Sequence, residues 1–365
     1  MKISIGSKIV RGPWGGGNLF AINLSNYLIK KGHSVTYDLS DPKLDLILLT
    51  DPRSRSESSS TFNHKEIEQY KKFINPNVAV VQRINECDER KNTENINSFY
   101  LSASKVADKV VFVSSWLRNI YTEIGMNSEK TSVILAGANK EIFNDSNSSV
   151  WNKKNPIKIV THHWSSHDNK GFKIYKQIDE MLNEPKWSDR IEFTYIGNLN
   201  TNYTLNNTNC VLPLAGLSLA EEIKSHHLYV TASINEPSGN HHIEAAQCGL
   251  PILYAKSGGI PEYCENFGVE FVNNFEQSLE FIISNYDQYK ERLKSYPFNS
   301  DKMCEEFLDL FELLVSEKRS NLIKFEKKLI GTILIYKNKV INKIRSSLFL
   351  NIQNILSSII RKLKK

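Results

Sequence analysis

Two carboxylates, Glu236 and Glu244, stand eight positions apart in the stretch Ile234–Cys264, INEPSGNHHIEAAQCGLPILYAKSGGIPEYC. An apolar run, LYVTAS, ends near Ser233 and predicts a strand; a helix is expected to start at about His241. Ser238, Gly239, Asn240 and His241 then lie at a helix N-terminus as candidate donor-binding residues, where unpaired N–H groups and the positive dipole end favour an anion such as a phosphate. With Glu236 in the loop and Glu244 in the first turn, both carboxylates overhang that anion position. An ionised carboxylate only accepts hydrogen bonds, so beside a phosphate it suits sugar or ribose hydroxyls. A phosphate flanked by polyhydroxyl rings describes a nucleotide sugar. A capped helix with a solvated Glu would leave the same residues in the same places.

The elements that must carry this loop alternate. KISIG predicts a strand, Gly17 to Lys31 an amphipathic helix ending at Gly32, and SVTY, LDLILLT, NVAVVQ and KVVFVS further strands with helical segments between them. The polar stretch NKEIFNDSNSSVWNKKNP reads as a linker, and a second series follows with IKIVTH, IEFTYIG, NCVLPL, LYVTAS, PILYA and VEFV. Strands this apolar are usually buried on both faces, as in parallel sheets. Two successive doubly wound α/β units follow, 1–150 and 151–317, with ligands beyond the carboxyl ends of the strands and a cleft between the units. The Ser-rich SRSESSS at Ser54 to Ser60 reads as a surface loop.

Composition narrows the class. With 365 residues, 40% hydrophobic and 24% charged, the chain can fill two ordinary cores, which argues against global disorder. The five cysteines are scattered and never spaced C-x-x-C, so neither a disulfide framework nor a thiolate zinc site is indicated. Glycines follow Met1 before any apolar run long enough for a signal peptide, and a cytoplasmic protein is expected. Lys318–Lys365 holds 13 of the 46 Lys and Arg residues and one of the 40 acidic ones, so the tail is about +12 and the body about −6. A nucleic-acid partner is therefore not expected. Leu329, Ile333, Ile341, Ile344, Leu348, Ile352, Ile355 and Ile359 form a stripe in this tail. A basic amphipathic helix lying on an anionic membrane face, at the inner side of the membrane, is one reading of 318–365, and packing on the body or in a dimer is the other.

The opening stretch resembles the E-x7-E signature and the G-G-x-P-E loop of family-4 retaining glycosyltransferases, which have the two-domain GT-B architecture. The similarity extends from GPWGGGNLFAINLSNYLIKKGHSV through VVFVSSWLRNIY, VILAGAN and NKGF to CEEFLDLFELLVSE. It implies that Glu236 holds donor-sugar hydroxyls and Glu244 the ribose. It implies that Gly16 and Gly17, in GPWGGGN, approach the donor phosphates, although a tight turn explains glycines too. It also implies that Lys170, in DNKGF, neutralises the departing diphosphate; otherwise Lys170 is a surface lysine. The expected activity is sugar transfer from a nucleotide-sugar donor, with no cofactor, to a glycan or lipid-linked acceptor in cell-surface polysaccharide synthesis. A non-catalytic nucleotide-sugar or glycan-binding subunit and a phosphorylase-like enzyme are the alternatives.

Two departures from the family pattern stand out. The Arg expected a few residues before Lys170 is absent from THHWSSHDNKG, so either a histidine, with His163 the candidate, or another Arg supplies the second charge. At the fourth strand, where the family has a His, this chain has VVQRINECDER, and Arg83 is the candidate to compensate across the cleft. Paired histidines, His241 among them, invite a metal, but no H-E-x-x-H or D-x-D occurs and a metal site is not expected.

Overall fold

The computed structural model describes residues 1–10, 15–53, 59–318 and 330–344. The first unit runs β1 (Lys2–Ile5), α1 (Gly15–Lys30), β2 (Ser34–Thr36), β3 (Leu46–Leu49), α2 (His64–Phe73), β4 (Ala79–Ile84), α3 (Asp88–Lys91), α4 (Ile96–Ala103), β5 (Lys109–Phe112), α5 (Ser115–Glu123) and β6 (Thr131–Val133). The second runs β7 (Ile157–His163), α6 (Phe172–Met181), β8 (Ile191–Gly197), β9 (Asn209–Val211), α7 (Gly216–Lys224), β10 (Leu228–Thr231), α8 (Asn240–Gln247), β11 (Ile252–Ala255), α9 (Ile260–Cys264), β12 (Gly268–Phe271), α10 (Phe275–Ser284) and α11 (Tyr286–Arg292). The last named helix, α12 (Ser300–Ser316), is followed by a helical segment over 330–344.

Each unit is a six-stranded parallel sheet, ordered β2-β1-β3-β4-β5-β6 in the first and β12-β11-β10-β7-β8-β9 in the second. The apolar runs foretold this: β3 and β4 are buried along their whole length because both faces are covered. On one face Ile47, Val80 and Val110 pack with Ile67 and Tyr70 of α2 and Leu117 of α5. On the other, Leu48, Val81 and Val111 pack with Phe20 and Leu24 of α1. The second sheet is sandwiched the same way, by α7 and α8 on one side and α6 and α10 on the other.

Although α12 follows the second unit in sequence, it packs on the first sheet. Met303, Phe307 and Phe311 join Phe20, Leu24 and Leu28 there. Phe307 and Phe311 are essentially fully buried, and each such side chain contributes about 2 kcal/mol. The chain thus crosses between the units twice, and the crossings run side by side. Ala138 N–H donates to Phe298 O at 3.3 Å and Ser300 N–H to Ala138 O at 2.8 Å. Gly137 permits this, since a Cβ there would stand 2.1 Å from Asn299 O. Residues of the polar linker are tied to the second unit: Phe143 lies in its core, and Lys224 Nζ donates to Asn144 Oδ1 at 2.8 Å.

The 330–344 helix touches the first unit, with Asn338 Nδ2 donating to Leu39 O at 3.3 Å and Gly331 lying against Phe73. Its outer side leaves Ile330, Ile333, Tyr336, Val340 and Ile344 exposed. Of the apolar stripe expected in the tail, only Ile333, Ile341 and Ile344 fall within the described residues; the Ser-rich loop lies largely outside them. Among the described residues no helix is long and apolar enough to cross a membrane.

Candidate active site

In the second sheet the strand order reverses between β7 and β10, so their carboxyl ends open a crevice where α/β proteins bind ligands. The loop after β7 delivers Lys170 and the loop after β10 delivers Glu236. Gly171, at φ +88°, lets the first loop turn tightly against the second, because a Cβ there would strike Ala232 O at 2.2 Å. The two side chains meet: Lys170 Nζ donates to Glu236 Oε2. Glu236 is 6% exposed. Burial works against its charge, but Lys170 and Arg90 outweigh burial and hold the carboxyl at about 2. Arg90 comes from α3 of the first unit, its Nη2 3.4 Å from Glu236 Oε1.

Glu244 is equally buried, and its Oε2 is 3.0 Å from His162 Nε2 at the end of β7. Its other oxygen takes no hydrogen bond from the described residues, so it remains able to accept a hydroxyl. His163, His241 and His242 cluster edge to face beside it, with ring centroids 4.7 Å apart for His163 and His241 and 4.9 Å for His241 and His242. His241 Nε2 is 2.7 Å from Thr231 Oγ1, so the ring is turned into the sheet and a ligand at this position meets backbone. His163 Nε2 lies 2.6 Å from Tyr175 OH. Burial, followed by the charge of Lys170, pushes His163 well below the usual imidazole range, and the neutral ring offers a phosphate no charge. His242 is wholly buried, has no partner on either ring nitrogen among the described residues, and is pushed down by burial to about 3.

The N-terminus of α8 faces the glycine loop. Gly239, at φ +75°, precedes Asn240 and gives no side-chain cap, so the first-turn amides await another acceptor. Gly16 approaches α8 from the first unit so closely that a Cβ on it would lie 3.3 Å from Asn240 Nδ2, and Gly17 follows in the first turn of α1. Arg83, at the end of β4, stacks 4.0 Å from the centre of the Phe20 ring. It is 6% exposed, burial lowers it to about 10, and among the described residues no carboxylate pairs with it. Glu236 pairs with Lys170 and Arg90, and not with Arg83.

The G-G-x-P-E loop closes the cleft from the other side. Glu262 accepts from the backbone N–H of Ser115 at 2.8 Å and of Trp116 at 2.9 Å, capping α5 of the first unit. Tyr263 OH donates to Val113 O at 2.5 Å and accepts from Ala136 N–H at 2.9 Å. A crevice of about 270 Å³ lined by Ser115, Leu135, Glu262, Asn299, Lys302 and Glu306 lies beside the chain crossings and does not include Lys170 or Glu236. Among the described residues no three His, Cys, Asp or Glu side chains gather as a metal site. Sequence reasoning missed Arg90 and the capping role of Glu262; both contacts join residues more than a hundred positions apart, and nothing local marks them.

No protein-family model matches the chain. Over 89 residues it is 29% identical to the phosphatidylinositol N-acetylglucosaminyltransferase gpi3 subunit of Schizosaccharomyces pombe, a match covering 24% of this chain and about a fifth (20%) of that relative's length. Solved structures align far more widely. HepE of Anabaena in complex with UDP aligns with a TM-score of 0.63 at 16% identity, covering 86% of this chain and 100% of that one. The catalytic domain of starch synthase IV from Arabidopsis thaliana, bound to ADP and acarbose, gives 0.63 at 12% identity over 87% and 99%. A glycosyltransferase from Rickettsia africae gives 0.62 at 14% over 87% and 99%. With its two parallel six-stranded sheets and the cleft between them, the chain has the GT-B fold of these glycosyltransferases.

Proposed function

We propose that the chain is a retaining glycosyltransferase of the family-4 type, transferring a sugar from a nucleotide-sugar donor. The observation that carries this reading is the meeting of Lys170 and Glu236 at the switch point of the second sheet, beside the uncapped N-terminus of α8. A donor diphosphate placed at the α8 amides draws Lys170 off Glu236 and onto the leaving oxygens, where charge grows in the transition state. Glu236, kept ionised at about 2, then accepts from donor-sugar hydroxyls, and Glu244 from the ribose. Gly16 and Gly17 bring backbone close to the same phosphates. Retention of configuration rests on the resemblance of the motifs.

The acceptor is proposed to be a membrane-borne or lipid-linked glycan. The exposed row Ile330, Ile333, Tyr336, Val340 and Ile344, with Lys337, Lys339 and Lys343 on the same helix, supports an interfacial contact with an anionic bilayer. The name of the Schizosaccharomyces pombe relative, which includes a phosphatidylinositol, supports a lipid acceptor.

The test is to incubate the protein with UDP-, GDP- and ADP-sugars, to record which nucleoside diphosphate is released, and to follow the anomeric product by NMR. Release with a retained anomer supports the reading. An inverted product removes the family-4 assignment, and binding without release favours a non-catalytic subunit.

A further inference from the structure

The resemblance leads one to expect an Arg beside Lys170 in the second unit, and the chain has none there. The structure fills that vacancy from the opposite side of the cleft. Arg90 and Lys170 flank the same carboxylate, Arg90 Nη2 at 3.4 Å from Glu236 Oε1 and Lys170 on Oε2. The guanidinium is also 3.4 Å from Glu86 Oε2 through Nη1, and these two carboxylates raise its basicity.

Its backbone is fixed just as directly. Asn169 Nδ2 donates to Arg90 O at 2.6 Å, and Asn235 Nδ2 donates to Glu89 O at 3.0 Å. These asparagines immediately precede Lys170 and Glu236. The loops bearing the proposed catalytic pair are therefore each fastened to α3 by a side-chain amide, and Arg90 is positioned by both. Arg53 and Lys91 also approach Glu86, at 3.7 and 3.3 Å, so Glu86 keeps cationic partners when Arg90 turns toward an incoming anion.

Resting on the proposed function, we infer that Arg90 is the second cation at the leaving diphosphate, supplied by the first unit, so that this stabilisation is complete only when the two units are closed. As the bond from the anomeric carbon to the β-phosphate oxygen breaks, its electron pair leaves with the nucleoside diphosphate. Lys170 and Arg90 share the charge gained. The acceptor hydroxyl oxygen forms the new bond to the anomeric carbon, and its proton passes to the departing phosphate oxygen.

The full-length protein and its R90Q, R90K and R90A variants are compared with whichever of the UDP-, GDP- or ADP-sugars the wild type turns over. R90Q should lose about 100-fold or more in kcat, the cost of removing one preorganised donor, with KM for the donor changed only a few-fold. R90A should regain activity on addition of millimolar guanidinium chloride and not of sodium chloride, a rescue that a purely structural ion pair would not give. Wild-type turnover in R90Q, or a loss in R90A that guanidinium does not reverse, overturns the assignment of Arg90 and leaves the glycosyltransferase reading in place. A wild type that neither releases a nucleoside diphosphate nor is thermally stabilised by UDP, GDP or ADP overturns that reading itself.

Discussion

Lys170 Nζ is hydrogen-bonded to Glu236 Oε2, so the cation and the carboxylate that the proposed reaction uses on different parts of the donor are partnered with each other. Neither is left as an unpaired buried charge, which would cost several kcal/mol. The donor must separate them, and it can do so because each has a replacement partner on the ligand, a phosphate for one and hydroxyls for the other.

That division predicts different kinetics for the two motif glutamates. Glu236→Gln should lower kcat by about 100-fold with a small change in donor KM, because its contact lies at the ring where positive charge develops. Glu244→Gln should mainly raise donor KM, by about tenfold, since its open oxygen serves the distant ribose. Steady-state kinetics on both variants check this, and equal kcat and KM effects would remove the division of roles.

Acid should destabilise the fold from about pH 6.5 downward. His163, His241 and His242 are all depressed by burial, His242 to about 3, so between pH 6.5 and 3 the unfolded chain binds protons that the folded one refuses. Stability then rises with pH across that window, by about 1.4 kcal/mol per pH unit from His242, with His163 and His241 adding a slope of the same sign below pH 6.5. Glu236, at about 2 when folded against 4.5, adds a loss of the same sign below pH 4.5. His242→Ala should remove about one proton from the slope, as read by urea denaturation at several pH values between 4 and 7. An unchanged slope would show that His242 is not the group held neutral.

Glu262 should hold the units together as well as cap α5. Glu262→Ala removes the acceptor for the N–H groups of Ser115 and Trp116, a change of the capping kind that costs about 1–2 kcal/mol. Small-angle scattering should report a larger radius of gyration for the variant, with both units still folded by circular dichroism. The same radius and the same Tm as the wild type would show that the contact neither closes the cleft nor stabilises α5.

Truncation after Glu317 should separate catalysis from membrane attachment. The cut leaves α12 whole and removes the exposed apolar row of 330–344. The truncated protein should still be stabilised by a nucleoside diphosphate but lose sedimentation with phosphatidylserine-containing liposomes at low salt, since each basic residue near such a surface contributes about 1 kcal/mol. Full-length protein that fails to sediment assigns the helix to packing alone.

Glu236 and Glu244 stood out in the sequence because their spacing straddles a helix N-terminus, and Lys170 only because DNKGF resembles a family motif; the structure brings Lys170 and Glu236 into contact. Strand β3, LILL, was legible because a run buried on both faces has few other uses. Periodicity showed that α12 has an apolar face but carries no information about which sheet that face covers. Arg90 escaped notice for a related reason: in NECDERK it reads as an ordinary ion-pair partner of Glu86 four residues earlier, which it also is. Its second partner, Glu236, becomes a neighbour only when the two sheets have folded and met. The histidine pairs carried no local sign of their use: His162, His163, His241 and His242 are all buried in the second unit, where His162 meets Glu244 and His163 meets Tyr175.

Both segments that follow the second unit, α12 and 330–344, return to the first. A bilayer resting against 330–344 would therefore hold the first unit like the fixed half of a jaw. The second unit, joined to it through the paired crossings at Ala138 and Asn299, would then be the half that swings. Opening would carry the spent nucleotide, gripped by Glu244 and the α8 amides, away from the surface, while the elongated acceptor stays beside the lipid from which the next round begins.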